Sequence, residues 1–108
     1  MLKEPVTLKE YVTESRISPF NEWLEGLKSR EIRAIVRARL NRLRLGSFGD
    51  CKSVGDGVSE LRIHLSPGYR VYFGKEGNTV VILLYGGTKG SQQRDIEKAK
   101  ALWRVYRS

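Results

Sequence analysis

Three basic side chains, an imidazole and a phenol stand at spacings that could handle a phosphate. Arg62, His64, Arg70 and Tyr72 fall in two alternating runs separated by Ser66-Pro67-Gly68, and Lys89 follows in Gly86-Gly87-Thr88-Lys89-Gly90. Alternation sends side chains two apart to the same face of a strand. In residues 58–65, Leu61, Ile63 and Leu65 share one face while Glu60, Arg62 and His64 share the other; in residues 69–73, Tyr69, Val71 and Phe73 oppose Arg70 and Tyr72. A three-residue hairpin loop at 66–68 would set Leu65 opposite Tyr69, His64 opposite Arg70 and Arg62 opposite Tyr72, with all four polar side chains on one face. Two guanidiniums, an imidazole and a phenol at that range repel unless something negative sits among them, and arginine's fork suits a phosphate. Glu60 on the same face offsets only part of the charge.

His64 is the single histidine, the one side chain here that ordinarily titrates near neutrality and so can move protons there. A lone histidine is usually structural, but a place on the polar face beside Arg70 favours the neutral form that a general base needs. Lys89 is expected in a strand-to-helix loop whose glycines allow close backbone approach and whose following helix N-terminus offers amide donors to an anion. The nucleotide P-loop spacing is absent. Cys51 reads as an inert thiol, and no His/Cys/carboxylate grouping has metal spacing, so neither metal nor cofactor is expected. Positive charge, a phosphate-shaped cluster and one proton-transfer group form a minimal kit for cleaving RNA, whose own 2′-OH is the nucleophile.

Several elements must position these residues. Residues 6–13 predict a strand with Val6 and Leu8 two apart. Ser18-Pro19 predicts an N-cap and first helical residue, followed by Phe20, Trp23, Leu24 and Leu27 at helical spacing. Ser29 caps a longer helix with Ile32, Ile35, Val36, Leu40 and Leu43 on one stripe, ended by Gly46. Residues 79–85 form a nearly continuous apolar run that suits a central strand covered on both faces. Ser91 is a plausible cap for a last helix carrying Ile96, Ala99, Leu102, Trp103 and Tyr106. The expected order is β-α-α-β-β-β-α: an α+β domain whose antiparallel sheet has its helices packed on one face.

The chain has 108 residues, 20 Lys+Arg against 12 Asp+Glu, a formal net charge of +8 and a single cysteine. That length suits a single domain spanning 1–108, excludes separate cofactor and substrate lobes, and the cysteine count excludes a disulfide-stapled scaffold. No run is long and apolar enough for a membrane span, and the start Met1-Leu2-Lys3-Glu4-Pro5 lacks an apolar leader core, so a cytoplasmic protein is expected. Between residues 28 and 44, Lys28, Arg30, Arg33, Arg37, Arg39, Arg42 and Arg44 face one acid, Glu31. Such a ridge exceeds what helix stability asks for and points to a polyanion; Arg33, Arg37 and Arg44, with Lys52, are the expected RNA contacts.

Taken together, Gly57-Val58-Ser59-Glu60-Leu61-Arg62-Ile63-His64, Pro67-Gly68-Tyr69-Arg70-Val71-Tyr72-Phe73 and Leu83-Leu84-Tyr85-Gly86-Gly87-Thr88-Lys89, with Gln92 and Asp95 to Ala99, closely resemble the addiction-module killer proteins of the RelE/ParE toxin superfamily, in its HigB-like, phage-related branch. The likeness covers nearly the whole chain. It implies a type II toxin that cuts messenger RNA on the ribosome and is neutralised, in a toxin–antitoxin complex, by a cognate antitoxin, often a HigA-like helix-turn-helix protein. It also implies a RelE-like fold, with Arg62 and Arg70 stabilising charge on the phosphate, His64 as base and Lys89 as phosphate ligand or leaving-group helper. Gly90 stands where relatives have an arginine and Ile96 where some have a functional tyrosine, which leaves the general acid open between Tyr72 and Tyr106. The rival functions are a ParE-like poison of DNA gyrase, which needs no catalytic cluster, and a non-catalytic nucleic-acid-binding regulator that uses the basic ridge.

Overall fold

The computed structural model describes residues 4–108; Met1, Leu2 and Lys3, part of the start expected to lack a leader, lie outside the described residues. Strand β1 (Thr7–Glu10) is followed by helices α1 (Pro19–Gly26) and α2 (Arg30–Arg44), strands β2 (Cys51–Gly55), β3 (Val58–Ile63), β4 (Tyr69–Glu76) and β5 (Val80–Thr88), a 3₁₀ turn over Lys89–Ser91, and helix α3 (Gln92–Arg107). The domain is α+β, as expected, with one more strand than the expected order.

Both early helices begin where their caps predict. The Ser18 hydroxyl accepts from the Asn21 amide at 3.0 Å with Pro19 in the first turn, and Ser29 accepts from Ile32 at 3.2 Å. Gly46, at φ 93°, ends α2: its N–H bonds the Leu43 carbonyl and the Ser47 N–H that of Arg42, both at 2.9 Å, an arrangement that needs the left-handed backbone glycine allows. α3 differs from expectation at its start, because Ser91 makes no side-chain cap and its hydroxyl donates to Asp95 instead.

The five strands run in the order β1-β5-β4-β3-β2. β3, β4 and β5 form the expected antiparallel meander, but β1 lies parallel to β5, so the sheet is mixed rather than antiparallel. β2 is the strand the sequence did not suggest. Cys51-Lys52-Ser53-Val54-Gly55 has no apolar alternation because it is an edge strand with both faces largely in water; it is held by main-chain pairing to β3 and by the turn Gly55-Asp56-Gly57, all at positive φ.

Helices cover both faces of the sheet, not one. α1 and α2 bring Phe20, Leu24, Val36, Leu40 and Leu43 onto Leu61, Ile63, Val71, Phe73, Val81 and Leu83. α3 lays Ala99 and Trp103 on Val58, Tyr72, Ile82 and Leu84 from the opposite side. The reason lies in β5, whose Val81, Ile82, Leu83 and Leu84 are all buried and alternate between the two clusters. A strand apolar on both sides needs a layer on each; α1 and α2 both lie on one face, so α3 covers the other.

The layers press closely on glycines. A Cβ at Gly86 would stand 2.1 Å from the Trp23 ring, whereas one at Gly26 meets nothing within 4 Å. Gly86→Ala is therefore expected to lose about 1–3 kcal/mol by overpacking, and Gly26→Ala to gain about 0.4–1 kcal/mol from a less flexible unfolded chain; urea unfolding of the two variants measures both.

Candidate functional site

The β3–β4 ladder pairs Ile63 with Tyr69, Arg62 with Arg70, Leu61 with Val71 and Glu60 with Tyr72. The connection is residues 64–68, two longer at its start than the expected loop. A slip of two preserves facing, so Glu60, Arg62, Arg70 and Tyr72 do share the α3 side of the sheet. The partners change, however: Arg62 faces Arg70 rather than Tyr72, and His64 leaves the ladder.

Glu60 lies between the two arginines with no solvent exposure. Its Oε1 accepts from Arg62 Nε at 2.9 Å, and its Oε2 accepts from Gln92 Nε2 at 2.7 Å and lies 3.4 Å from Arg70 Nε in an ion pair without hydrogen-bond geometry. Burial pushes this carboxyl up, but the bonds from Arg62 and Gln92 and the Arg70 charge outweigh it and hold the group below the ordinary glutamate value. The same bond raises the Arg62 guanidinium above its ordinary value against the effect of burial. Lys89 joins the group through the backbone: its N–H donates to the Gly68 carbonyl at 2.9 Å, and Arg70 Nη1 reaches the same oxygen at 3.4 Å. Arg62 and Arg70 thus come together on β3 and β4, and the backbone of Lys89, in the turn after β5, lies beside Arg70.

Other candidates stand elsewhere. His64 is exposed, and its Nε2 lies 2.5 Å from Asp50 Oδ2, so a carboxylate rather than Arg70 faces the imidazole. Tyr72 is fully buried, and its hydroxyl has no hydrogen-bond partner. Burial first, then the Glu60 and Asp95 carboxylates, push its phenol far above the ordinary value, the opposite of what a proton donor to a bound substrate needs. Tyr106 stacks on Trp103 at 5.5 Å near the far end of α3, about 21 Å along the helix axis from Gln92 at 1.5 Å per residue. Gly86 and Gly87 belong to β5, not to a phosphate loop. A Cβ at Gly87 would stand 1.8 Å from Asp95 Oδ2, so the close approach they allow is to Trp23 and Asp95. The Asp95 carboxylate, bonded by Ser91, already occupies the first turn of α3.

The basic ridge is more occupied than counting suggested. Arg39 is buried rather than on the ridge, donating to the carbonyls of Ser47, at 3.3 Å, and Phe48. Arg33 donates to the Leu27 carbonyl at the end of α1, Arg37 pairs with Glu25, and Arg44 donates to Asn41 Oδ1 at 2.7 Å. Lys52 is exposed on the edge strand. Cys51 is half-buried, its thiol donating to the Phe48 carbonyl at 3.0 Å and pushed up by burial, in keeping with an inert group. Sequence reasoning missed Gln92 as the second donor to Glu60, and Asp50 as the partner of His64; no local pattern signals either, since both pairings cross between elements.

Among the described residues no group of three or more His, Cys, Asp or Glu could hold a metal ion, and no helix is long and apolar enough to cross a membrane. Fold and site together define a small α+β protein with a carboxylate-anchored arginine pair at one end of a mixed sheet. No family model matches the sequence. It is 49% identical over 83 residues, 77% of this chain and 84% of the relative, to a Haemophilus influenzae (strain ATCC 51907 / DSM 11121 / KW20 / Rd) protein described as uncharacterized. The chain belongs to the family of that protein.

Two outcomes follow for the buried carboxylate. Glu60→Ala leaves two arginines facing each other and is expected to cost about 3 kcal/mol, the lower end for breaking a buried pair, because both guanidiniums keep some contact with water. Because Glu60 titrates lower in the folded than in the unfolded chain, its contribution is complete above about pH 4.5, the ordinary value, and lost as pH falls through the folded one. Thermal melts from pH 7 to 3 should show this loss in the parent and a shallower one in Glu60→Gln.

Proposed function

We propose that the protein is the toxin of a type II toxin–antitoxin pair: a cytoplasmic, metal-independent endoribonuclease that cuts messenger RNA on the ribosome and is held inactive by a cognate antitoxin. The observation that carries this reading is the Arg62–Arg70 pair, set opposite each other in register and fixed from beneath by Glu60, with Lys89 beside Arg70. Arg62 spends only Nε on Glu60, which leaves the outer edge of its guanidinium for a phosphate oxygen.

In the proposed reaction the substrate 2′-OH attacks the adjacent phosphorus, the bond to O5′ breaks, and the products are a 2′,3′-cyclic phosphate and a 5′-hydroxyl. Arg62 and Arg70 stabilise the charge that builds on the non-bridging oxygens. The neutral His64 tautomer that donates Nε2–H to Asp50 has an unprotonated Nδ1, which takes the 2′-OH proton. Lys89 is the exposed donor that remains for the O5′ leaving group, since Tyr72 is sealed in the core and Tyr106 stands at the other end of α3. Arg33, Arg37 and Arg44 of α2 and Lys52 of the edge strand are the further RNA contacts in this reading, because weak surface pairings such as Arg37–Glu25 exchange readily for phosphate.

Arg70→Ala is expected to relieve growth arrest on expression and to lower transcript cleavage about 10²–10³-fold, while Arg62 and Gln92, still bonded to Glu60, keep the variant folded and able to bind antitoxin, checked by circular dichroism and calorimetry. Undiminished toxicity would remove the site, and gyrase-linked DNA breaks with intact transcripts would replace the reading by gyrase poisoning. Antitoxin affinity is expected to fall as salt rises, measured by titration calorimetry at several ionic strengths.

A further inference from the structure

We infer that the recess between α2 and the end of β3 seats one nucleoside of a single-stranded RNA, next to the phosphate held by Arg62 and Arg70. The inference rests on the ribonuclease reading and extends it to a second subsite. The recess holds about 450 Å³ and opens where β3 runs past the start of β2, at Asp50, whose carbonyl accepts the Arg62 N–H at 2.9 Å. Its apolar lining is Ile35 and Ala38 from α2 with Ile63 from β3; Ile35, which its spacing placed on the apolar stripe, is left 42% exposed. Its rim is cationic, with Arg42 from α2, Arg62 from β3 and the exposed His64.

Those features match a nucleoside and its flanking phosphates better than either part alone. A base needs a flat apolar or guanidinium surface, and recognition of single-stranded RNA rests on such stacking. Ile35 and Ala38 supply the surface and Arg42 a guanidinium that can lie over it. Arg39 also lines the recess and keeps its charge there, with its guanidinium fixed on the Ser47 and Phe48 carbonyls and packed under Gly49, where a Cβ would fall 2.2 Å from Nη2. The recess therefore sets a small apolar surface among three guanidiniums and one carboxylate. Arg62 lines this recess and also belongs to the Glu60-anchored pair; the pair lies on the α3 side of the sheet and the recess on the α2 side, so a strand with one phosphate at Arg70 reaches the recess by passing round the end of β3 at Arg62. Asp50, the one anion at the rim, is turned to His64 and does not close the mouth to a polyanion.

The probe is a trinucleotide of RNA blocked against cleavage by a 2′-deoxyribose at its middle residue, titrated into the whole protein and followed by amide chemical shifts and by its dissociation constant. Expected are shifts at Ala38, Arg42, Gly49 and His64 together with those at Arg70. Ile35→Asp and Arg42→Ala, both at exposed helix positions, should each weaken the trinucleotide about tenfold, the loss of one base contact, while inorganic phosphate still shifts Arg70 in both. Unchanged trinucleotide affinity in both variants, or shifts confined to Arg62, Arg70 and Lys89, would overturn the subsite. If Arg70→Ala abolishes arrest while Ile35→Asp and Arg42→Ala arrest growth as fully as the parent, the subsite falls and the ribonuclease reading stands. Arrest that survives Arg70→Ala removes that reading and the subsite with it.

Discussion

One carboxylate in the wrong dielectric organises this molecule. Glu60 has no contact with solvent, and an unpaired charge in that position would be untenable. It persists because Arg62, Arg70 and Gln92 converge on it from β3, β4 and the first residue of α3. The requirement runs in both directions: two guanidiniums opposed on adjacent strands repel, and the anion beneath them removes most of that cost. Register, helix placement and the direction of both arginines are thereby linked, since a slip of β4 or a rotation of α3 would strand the charge.

Much of this was legible in the residues, and what was not fails for identifiable reasons. The caps at Ser18 and Ser29 and the stop at Gly46 are local chemistry, and they appear where the sequence places them. Facing within the hairpin was also legible, because it depends only on parity. Register was not. Ser66-Pro67-Gly68 looks like a complete turn, yet the Leu65 N–H bonds the Ile63 carbonyl at 2.9 Å and the Gly68 N–H bonds that of Leu65 at 2.6 Å, so the turn begins at Ile63 and leaves His64 outside the ladder. The edge strand β2 carries no periodicity because it meets the core only through the half-buried Cys51 and Val54, three apart, with Lys52 and Ser53 exposed between them. The second helical layer could have been inferred: a strand apolar on both sides implies it, and that implication conflicts with placing every helix on one face.

Charge counting misled in a similar way. Seven basic residues between 28 and 44 look like a free cationic ridge, but α2 uses several of them as structural donors: Arg33 to the end of α1, Arg39 to the loop that leads into β2, and Arg44 to its own helix. Arginine serves here as a long polar staple whose head finds carbonyl oxygens that helix and loop ends leave over. Composition reports how many donors a chain owns, not how many its own backbone has already taken.

The parallel pairing of β1 with β5 sets an order on assembly. Thr7 takes its place beside Val80, so the opening strand waits for almost the last segment of the sheet. During synthesis α1 and α2 emerge long before the surface they cover, and only when the meander is complete can their apolar stripes be buried and the first strand dock. The closing contacts therefore wait for β5, and until it is in place the apolar stripes of both helices stay exposed.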